Sequence, residues 1–480
     1  MKNKNPAFLE EISRIVILFI LGFYALSVII IQDKTQINYA FVLGILFTGL
    51  LVYALSRSIS DLWSDWSNII MIAITSIILL SVYNKICVFV PTSDYEVLWK
   101  GAQQIVEGTF WERAIRKDDY FCFYNYQIGY TFYLSLIYRL FHGSLRAAKI
   151  IKIAVMTSTN VILYKTLRLF LQKKAAAVGT LLYICYPFVF MGAGILNNQH
   201  EAMLLESLAI FIFLRKDQVK SKIFSAIIIA VANVLRPTAS IVLIAMIIMS
   251  FFQWIVNKRK KYLLYAVLLA VTYLISANIM NYLFIITNLA PYGIKSDNLW
   301  FKITLGLTGE GITKQPTIDA EHTNYYYDLL YYNFDYERYN TEAARYITDM
   351  FKNKSINMDY ILKKIITFSG DVDNQHWSTG NNFLSSHSVL VNTLNGIGIY
   401  IYFLTIMLSF VRCLTNNIVD QKELLLPVLV FSGYFLVYII FEVQTRYRYE
   451  QYYMLFMMGT PSLAMVFERM MKLRKINENI

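Results

Sequence analysis

Charge is scarce in this chain. Only 16% of its 480 residues are Asp, Glu, Lys or Arg, against about a quarter in soluble domains, which excludes an ordinary globular enzyme. Cysteine is scarcer still, with Cys87, Cys122, Cys185 and Cys413 alone. None forms a CxxC pair, so a zinc ribbon or a dithiol redox motif is excluded. Cys87 and Cys122 both fall on outward segments, and nothing in the sequence favours a disulfide between them over two free thiols. No GxGxxG, P-loop or HExxH pattern occurs, which argues against a nucleotide-driven pump. No internal repeat or heptad array is visible, which weakens a transporter built from inverted repeats. The first apolar stretch, from about Ile12, lacks a small-residue cleavage site and is too long for a signal-peptide core, so it reads as a retained helix.

What the chain has is apolar length. Hydrophobic residues make up 57% of it, and several stretches reach the roughly 20 residues needed to cross a hydrocarbon core of about 30 Å. About twelve spans are predicted, near 14–31, 38–56, 69–90, 149–171, 175–193, 200–215, 222–236, 238–257, 262–286, 390–412, 424–441 and 449–468. The fold class is therefore an all-α polytopic membrane protein.

Basic residues orient these spans. Lys2 and Lys4 precede the first, Arg57 follows the second, and Lys173 and Lys174 separate the fourth from the fifth. Arg215, Lys216, Lys220 and Lys222 follow the sixth, and Lys258 to Lys261 follow the eighth. Arg412 and Lys422 follow the tenth, and Arg469, Lys472, Arg474 and Lys475 close the chain. All fall in even-numbered gaps or at a terminus. The positive-inside rule then puts both termini in the cytoplasm, in a plasma-membrane protein. The net charge of +12 is a consequence of topology, and nucleic acid is not expected as a partner. Residues 126–142 are apolar enough to span, yet a span there would turn Lys258 to Lys261 outward. Their Tyr and Phe content suits the interface, so they are predicted to form a juxtamembrane helix.

The layout that follows has four parts. Two N-terminal helices occupy 1–68. A transmembrane core occupies 69–286, with an external loop at 91–148. A second external subdomain lies at 287–389 and contains Trp377 and the tyrosine-rich run from Asn324 to Tyr339. The C-terminal helices occupy 390–480.

Ionisable residues at the outer helix ends are the candidates for chemistry. Asp94 follows the third span in Val90-Pro91-Thr92-Ser93-Asp94-Tyr95, and Glu201 opens the sixth in Asn197-Asn198-Gln199-His200-Glu201. Arg236 precedes Pro237 at an outward turn, and Arg446 and Arg448 lie between the last two spans. All three arginines stand on the face where basic residues are not expected. Arginine offers a planar fork of donors that suits phosphate. A carboxylate can take a proton from a hydroxyl or hold a divalent cation. The combination points to a phosphate-bearing substrate handled at the outer leaflet. Blander readings stand beside it. Ser93 and Asp94 suit a helix cap, and Glu201 suits a helix N-terminus. His200 suits a structural hydrogen bond, Arg236 a helix-pinning ion pair, and Arg446 and Arg448 interfacial anchors.

The order of these pieces resembles a known group. An acid after an early span is followed by Tyr126-Gln127-Ile128-Gly129-Tyr130, a helix ending Arg139-Leu140-Phe141-His142-Gly143, and a span running from Arg146 to Phe170. Then come Tyr186-Pro187, Glu201, Leu235-Arg236-Pro237, Leu305-Gly306-Leu307 with Gly309 and Gly311, and Glu442-Val443-Gln444-Thr445-Arg446-Tyr447. Over about residues 70–470 this is similar to the GT-C glycosyltransferases of family 39, the dolichyl-phosphate-mannose protein mannosyltransferase type and its bacterial relatives. The resemblance implies a GT-C helical bundle. It also implies an inverting hexosyl- or pentosyltransferase that moves sugar from polyprenyl phosphate to an acceptor hydroxyl on a cell-envelope glycan, lipid or protein. It assigns Asp94 as catalytic base, and Glu201 to catalysis through metal or acceptor positioning. Tyr95, Arg236, Arg446 and Arg448 would bind the lipid phosphate, and Asp94, Glu201 and His200 would hold a divalent cation, Mg or Mn. The chain departs from the pattern in two places. Asp94 is followed by Tyr95 where many members carry a second acid, and two additional spans precede the core. A flippase for lipid-linked glycans and an outer-leaflet glycan polymerase or ligase are the competing readings.

Overall fold

A computed structural model describes residues 4–35, 38–60, 62–88, 90–294, 299–309, 328–373 and 387–477. Trp377, Gly311 and the start of the tyrosine-rich run lie outside them. Among the described residues every regular element is helical. Seven helices are long and apolar enough to cross a membrane: Ala7–Gln32, Asp65–Ile86, Leu145–Leu167, Pro237–Asn257, Lys260–Ile286, Ser388–Thr415 and Lys422–Ile440. An eighth span forms if Lys173–Ile184 and Pro187–Gly194 are taken together, although they meet at 62°. The bend falls where Tyr186 precedes Pro187, a residue that disfavours the helical conformation before it. The stretches expected at 200–215 and 222–236 fold as Gln199–Arg215 and Val219–Leu235, 17 residues each, at the lower limit of the length that crosses a hydrocarbon core.

Several helices carry the argument below. They are numbered here as α1 (Lys4–Thr35), α2 (Asp94–Glu107), α3 (Ile128–Leu140), α4 (Leu145–Leu167), α5 (Gln199–Arg215), α6 (Val219–Leu235), α7 (Leu299–Thr308), α8 (Met358–Gly370), α9 (Ser388–Thr415), α10 (Lys422–Ile440) and α11 (Tyr449–Asn477). The expected juxtamembrane helix is present as α3, packed along α2. Gly129 lets it approach α6, since a Cβ there would lie 2.0 Å from the Val234 carbonyl oxygen. All four cysteines are free thiols.

The core is rich in buried tyrosine. Tyr24, Tyr186, Tyr402 and Tyr452 are fully enclosed and meet edge-on at 5.0–6.5 Å, a geometry aromatic pairs favour. Arg448 lies among them, 0% exposed, with its guanidinium 5.1 Å from the Tyr402 ring centre. It donates to the carbonyls of Thr445, Ser369 and Asp371, so it ties α11 to the C-terminal end of α8, where carbonyls lack helical partners.

The expected external region contributes α7 and α8, and both are fastened to the bundle. Lys364 of α8 donates to the carbonyls of Ile439 and Phe441 at 2.9 and 3.0 Å, and also to that of Gly306. A Cβ on Gly306 would lie 2.2 Å from the Ile440 carbonyl oxygen and 2.7 Å from the Glu442 nitrogen. Backbone cannot yield as a flexible side chain does. Gly306→Ala is therefore expected to destabilise the protein by about 1–3 kcal/mol, read as an earlier midpoint in a denaturing-detergent titration. An unchanged midpoint would show that the two segments separate freely.

Candidate functional site

Helix ends and loops converge on one end of the bundle and leave a cavity of about 430 Å³. It is lined by Asp94 and Tyr95 from the start of α2, Gln127 before α3 and the turn Asn197-Asn198-Gln199 before α5. Arg236 after α6, Lys302 of α7, and Glu442, Gln444 and Arg446 from the segment between α10 and α11 complete its polar wall. Tyr120, Tyr124, Tyr126, Tyr438 and Tyr447 line it together with Leu98, Ile241, Leu299, Val437 and Phe441.

Asp94 is partly exposed at the first position of α2. Ser93 before it makes no side-chain cap bond and holds φ 53 and ψ −134, a conformation that costs a non-glycine residue about 1–3 kcal/mol and recurs at functional sites. Burial raises the phenol of Tyr120 well above its ordinary value, and the charge of Asp94 raises it further while Lys302 opposes. The phenol thus lies within electrostatic reach of both groups.

Arg446 sits on the short 3₁₀ turn Thr445–Arg448 and donates to the Tyr95 hydroxyl at 2.6 Å. Burial disfavours its charge, but Tyr95, Tyr447 and Asp94 outweigh burial and hold the guanidinium above its usual range. Arg236 pairs with Glu450 at 2.9 Å, with side chains 12% and 0% exposed. It also donates to Thr238 Oγ1 and to Asn198 Oδ1. Lys302 pairs with Glu442 at 3.1 Å.

The turn at 197–199 links these groups. Asn198 Nδ2 donates to the Leu235 carbonyl and to Gln127 Oε1, and Gln199 Nε2 donates to the Arg446 carbonyl. Behind the turn, Lys152 of α4 donates to Glu201 Oε2 at 2.8 Å and to the carbonyl and side-chain oxygens of Asn197. Lys152 and Glu201 are 1% and 5% exposed. His200 bonds Asn197 Oδ1 at 2.8 Å and packs edge-on against Tyr449.

Asp94, Tyr95, Arg236 and Arg446 therefore share one cavity. Glu201, His200 and Arg448 do not line it. Glu201 is engaged by Lys152, and His200 is a buried hydrogen-bonding group. Among the described residues no group of three His, Cys, Asp or Glu could hold a metal. An ammonium occupies the place beside Glu201 where a cation would go. The expected Mg or Mn set of Asp94, Glu201 and His200 is not assembled.

Sequence reasoning missed Lys152, Glu450, Lys302 and the tyrosine wall. The rule that ionisable groups inside apolar stretches mark sites or their supports points to Lys152 and Glu450. Lys302 carries no such signal.

Comparison with known proteins adds two findings. The family model of dolichyl-phosphate-mannose-protein mannosyltransferase matches residues 128–279. The resemblance seen in the motifs is thus found again over a stretch that holds α3, the 197–199 turn and Arg236. A similar solved structure is the archaeal oligosaccharyltransferase AglB from Archaeoglobus fulgidus, in complex with an inhibitory peptide and a dolichol-phosphate, at 14% identity and a TM-score of 0.47. The alignment covers 87% of this chain and 52% of that one, so the chain spans about half its length. No curated protein matches.

Proposed function

We propose that this protein is an inverting membrane glycosyltransferase. It moves a sugar from a polyprenyl-phosphate donor to an acceptor hydroxyl of the cell envelope, on a glycan, lipid or protein, at the extracytoplasmic face. The observation that carries the reading is the single cavity in which Asp94 faces Arg236, Lys302 and Arg446 beside an apolar, tyrosine-lined wall. The match to a mannosyltransferase family over 128–279 supports the same reaction class. The cavity lies at the Arg236 end of the Pro237–Asn257 span, opposite its Lys258 to Lys261 end. The positive-inside rule places that basic end in the cytoplasm.

Chemistry follows from the residues. The donor phosphate lies against Arg446 and Arg236, whose planar forks suit phosphate oxygens, and the polyprenyl tail stays in the bilayer. Asp94 accepts the proton of the acceptor hydroxyl. That oxygen bonds the anomeric carbon from the face opposite the phosphate, the carbon–oxygen bond to phosphate breaks, and lipid phosphate leaves with the electron pair. Configuration at the anomeric carbon inverts. Glu450 holds Arg236 in place, and Lys152 and Glu201 hold the turn that joins both arginines. A flippase would need polar groups along a path through the bundle. Here the polar groups of the cavity gather at one end, which favours the transferase.

Labelled polyprenyl-phosphate sugars supplied to proteoliposomes, with released polyprenyl phosphate as the readout, test this reading. Turnover with at least one donor is expected. No release with any donor, together with movement of lipid-linked sugar across the bilayer, would replace it with the flippase. Arg446→Gln is expected to raise the donor KM about tenfold or more, from loss of charge-assisted hydrogen bonds. An unchanged KM would remove Arg446 from phosphate binding.

A further inference from the structure

The cavity holds a second carboxylate. Glu442 pairs with Lys302 at 3.1 Å, their side chains 12% and 16% exposed, and its backbone nitrogen donates to the Lys302 carbonyl. The pair is therefore fixed through both side chain and backbone, and Gly306 and Lys364 clamp the same two segments together a turn away. The Lys302 ammonium lies 5.7 Å from the Tyr124 ring centre. It shares its neighbour Tyr120 with Asp94. Glu442 and Gln444 lie just before the 3₁₀ turn that carries Arg446, and all three line the cavity. Gln444 Nε2 is 3.4 Å from Glu442 Oε1. Lys302 and Glu442 thus pair with each other within the same cavity wall that carries Arg446.

We infer that the Lys302–Glu442 pair is a specificity-determining subsite that reads the hydroxyl groups of the donor sugar and rejects charged sugars. This inference rests on the reading that the cavity takes a polyprenyl-phosphate sugar. Each sugar hydroxyl both donates and accepts. A carboxylate and an ammonium held side by side meet both needs, and the tyrosine faces pack the apolar side of the ring. An amino sugar would draw Glu442 to its own ammonium and leave Lys302 without its carboxylate. A uronic acid would draw Lys302 and leave Glu442 alone. Parting one member of a largely buried pair from the other is strongly unfavourable, so the pair works against either substitution.

The test uses full-length protein in lipid nanodiscs and binding alone, so turnover is not required. Polyprenyl phosphates bearing glucose, glucuronic acid or 4-amino-4-deoxyarabinose, and bare polyprenyl phosphate, compete against a fluorescent lipid phosphate. The wild type is expected to bind the glucose donor about tenfold or more tightly than either charged donor. Lys302→Met should close the gap for the amino sugar only, and Glu442→Gln for the uronic acid only. A merely structural pair would not produce that crossed pattern. Unfolding midpoints report the folding of all three proteins, and the affinity of each for bare polyprenyl phosphate is the reference against which its sugar preference is read. Equal binding of all sugars by the wild type, or an unchanged preference in both variants, overturns the subsite alone. Failure of the wild type to bind any lipid phosphate overturns it together with the transferase reading.

Discussion

Asp94→Asn is expected to lower sugar transfer about 100- to 10,000-fold, the range for loss of a positioned general base. The amide keeps the shape of the carboxylate and can still bond within the cavity, but it cannot take the acceptor proton. Donor binding should change little, because the arginines at 236 and 446 are untouched. The loss should fall on kcat rather than KM. The measurement is initial-rate release of polyprenyl phosphate over a range of donor concentrations, at matched protein level. Turnover within threefold of the wild type would leave Asp94 as the first residue of a helix and nothing more.

The second large effect lies out of reach of the substrate. Lys152→Met is expected to cost about 3–5 kcal/mol of stability, because it strands the Glu201 carboxylate in a site that is 5% exposed. It also removes two bonds to Asn197, the first residue of the turn that supports both arginines. The double variant Lys152→Met/Glu201→Gln should recover much of the loss, since no charge is then left alone. Unfolding midpoints of the four proteins in a denaturing-detergent titration give the coupling directly. If the double variant is no better than the single one, the lysine matters for its hydrogen bonds to Asn197 and not for its charge.

The two positions differ in how they could be read beforehand. Asp94, Arg236 and Arg446 were legible because topology alone exposes them: charge alternation puts their helix ends on one face, where arginine is out of place. Arg448, two residues from Arg446, carries the same signal and ends up in the tyrosine core bonded to carbonyls. The 3₁₀ turn from Thr445 sends the two side chains in different directions, and no periodicity announces such a turn. Glu201 was visible as an acid at a helix start. Its partner Lys152 lies 49 residues away on another helix, and only packing brings them together. Lys302 is one of several cations in a long insert, and its arrival at the cavity depends on the close passage that Gly306 permits. The bent pair at 173–194 was readable only as apolar length, as one span over 175–193, although Pro187 disfavours a helical residue before it.

The ion pair between Arg236 and Glu450 also has a consequence in time. Arg236 is synthesised with α6, whereas its partner arrives with the last helix, roughly two hundred residues later. At translation rates of about 5–20 residues per second, the interval is about 10–40 s. Throughout it, Arg236 lacks the carboxylate it pairs with in the finished fold, and burying it without that partner would be costly. Closing that end of the bundle is therefore favourable only once α11 has entered. The cavity and the last helix of the bundle are thus completed together.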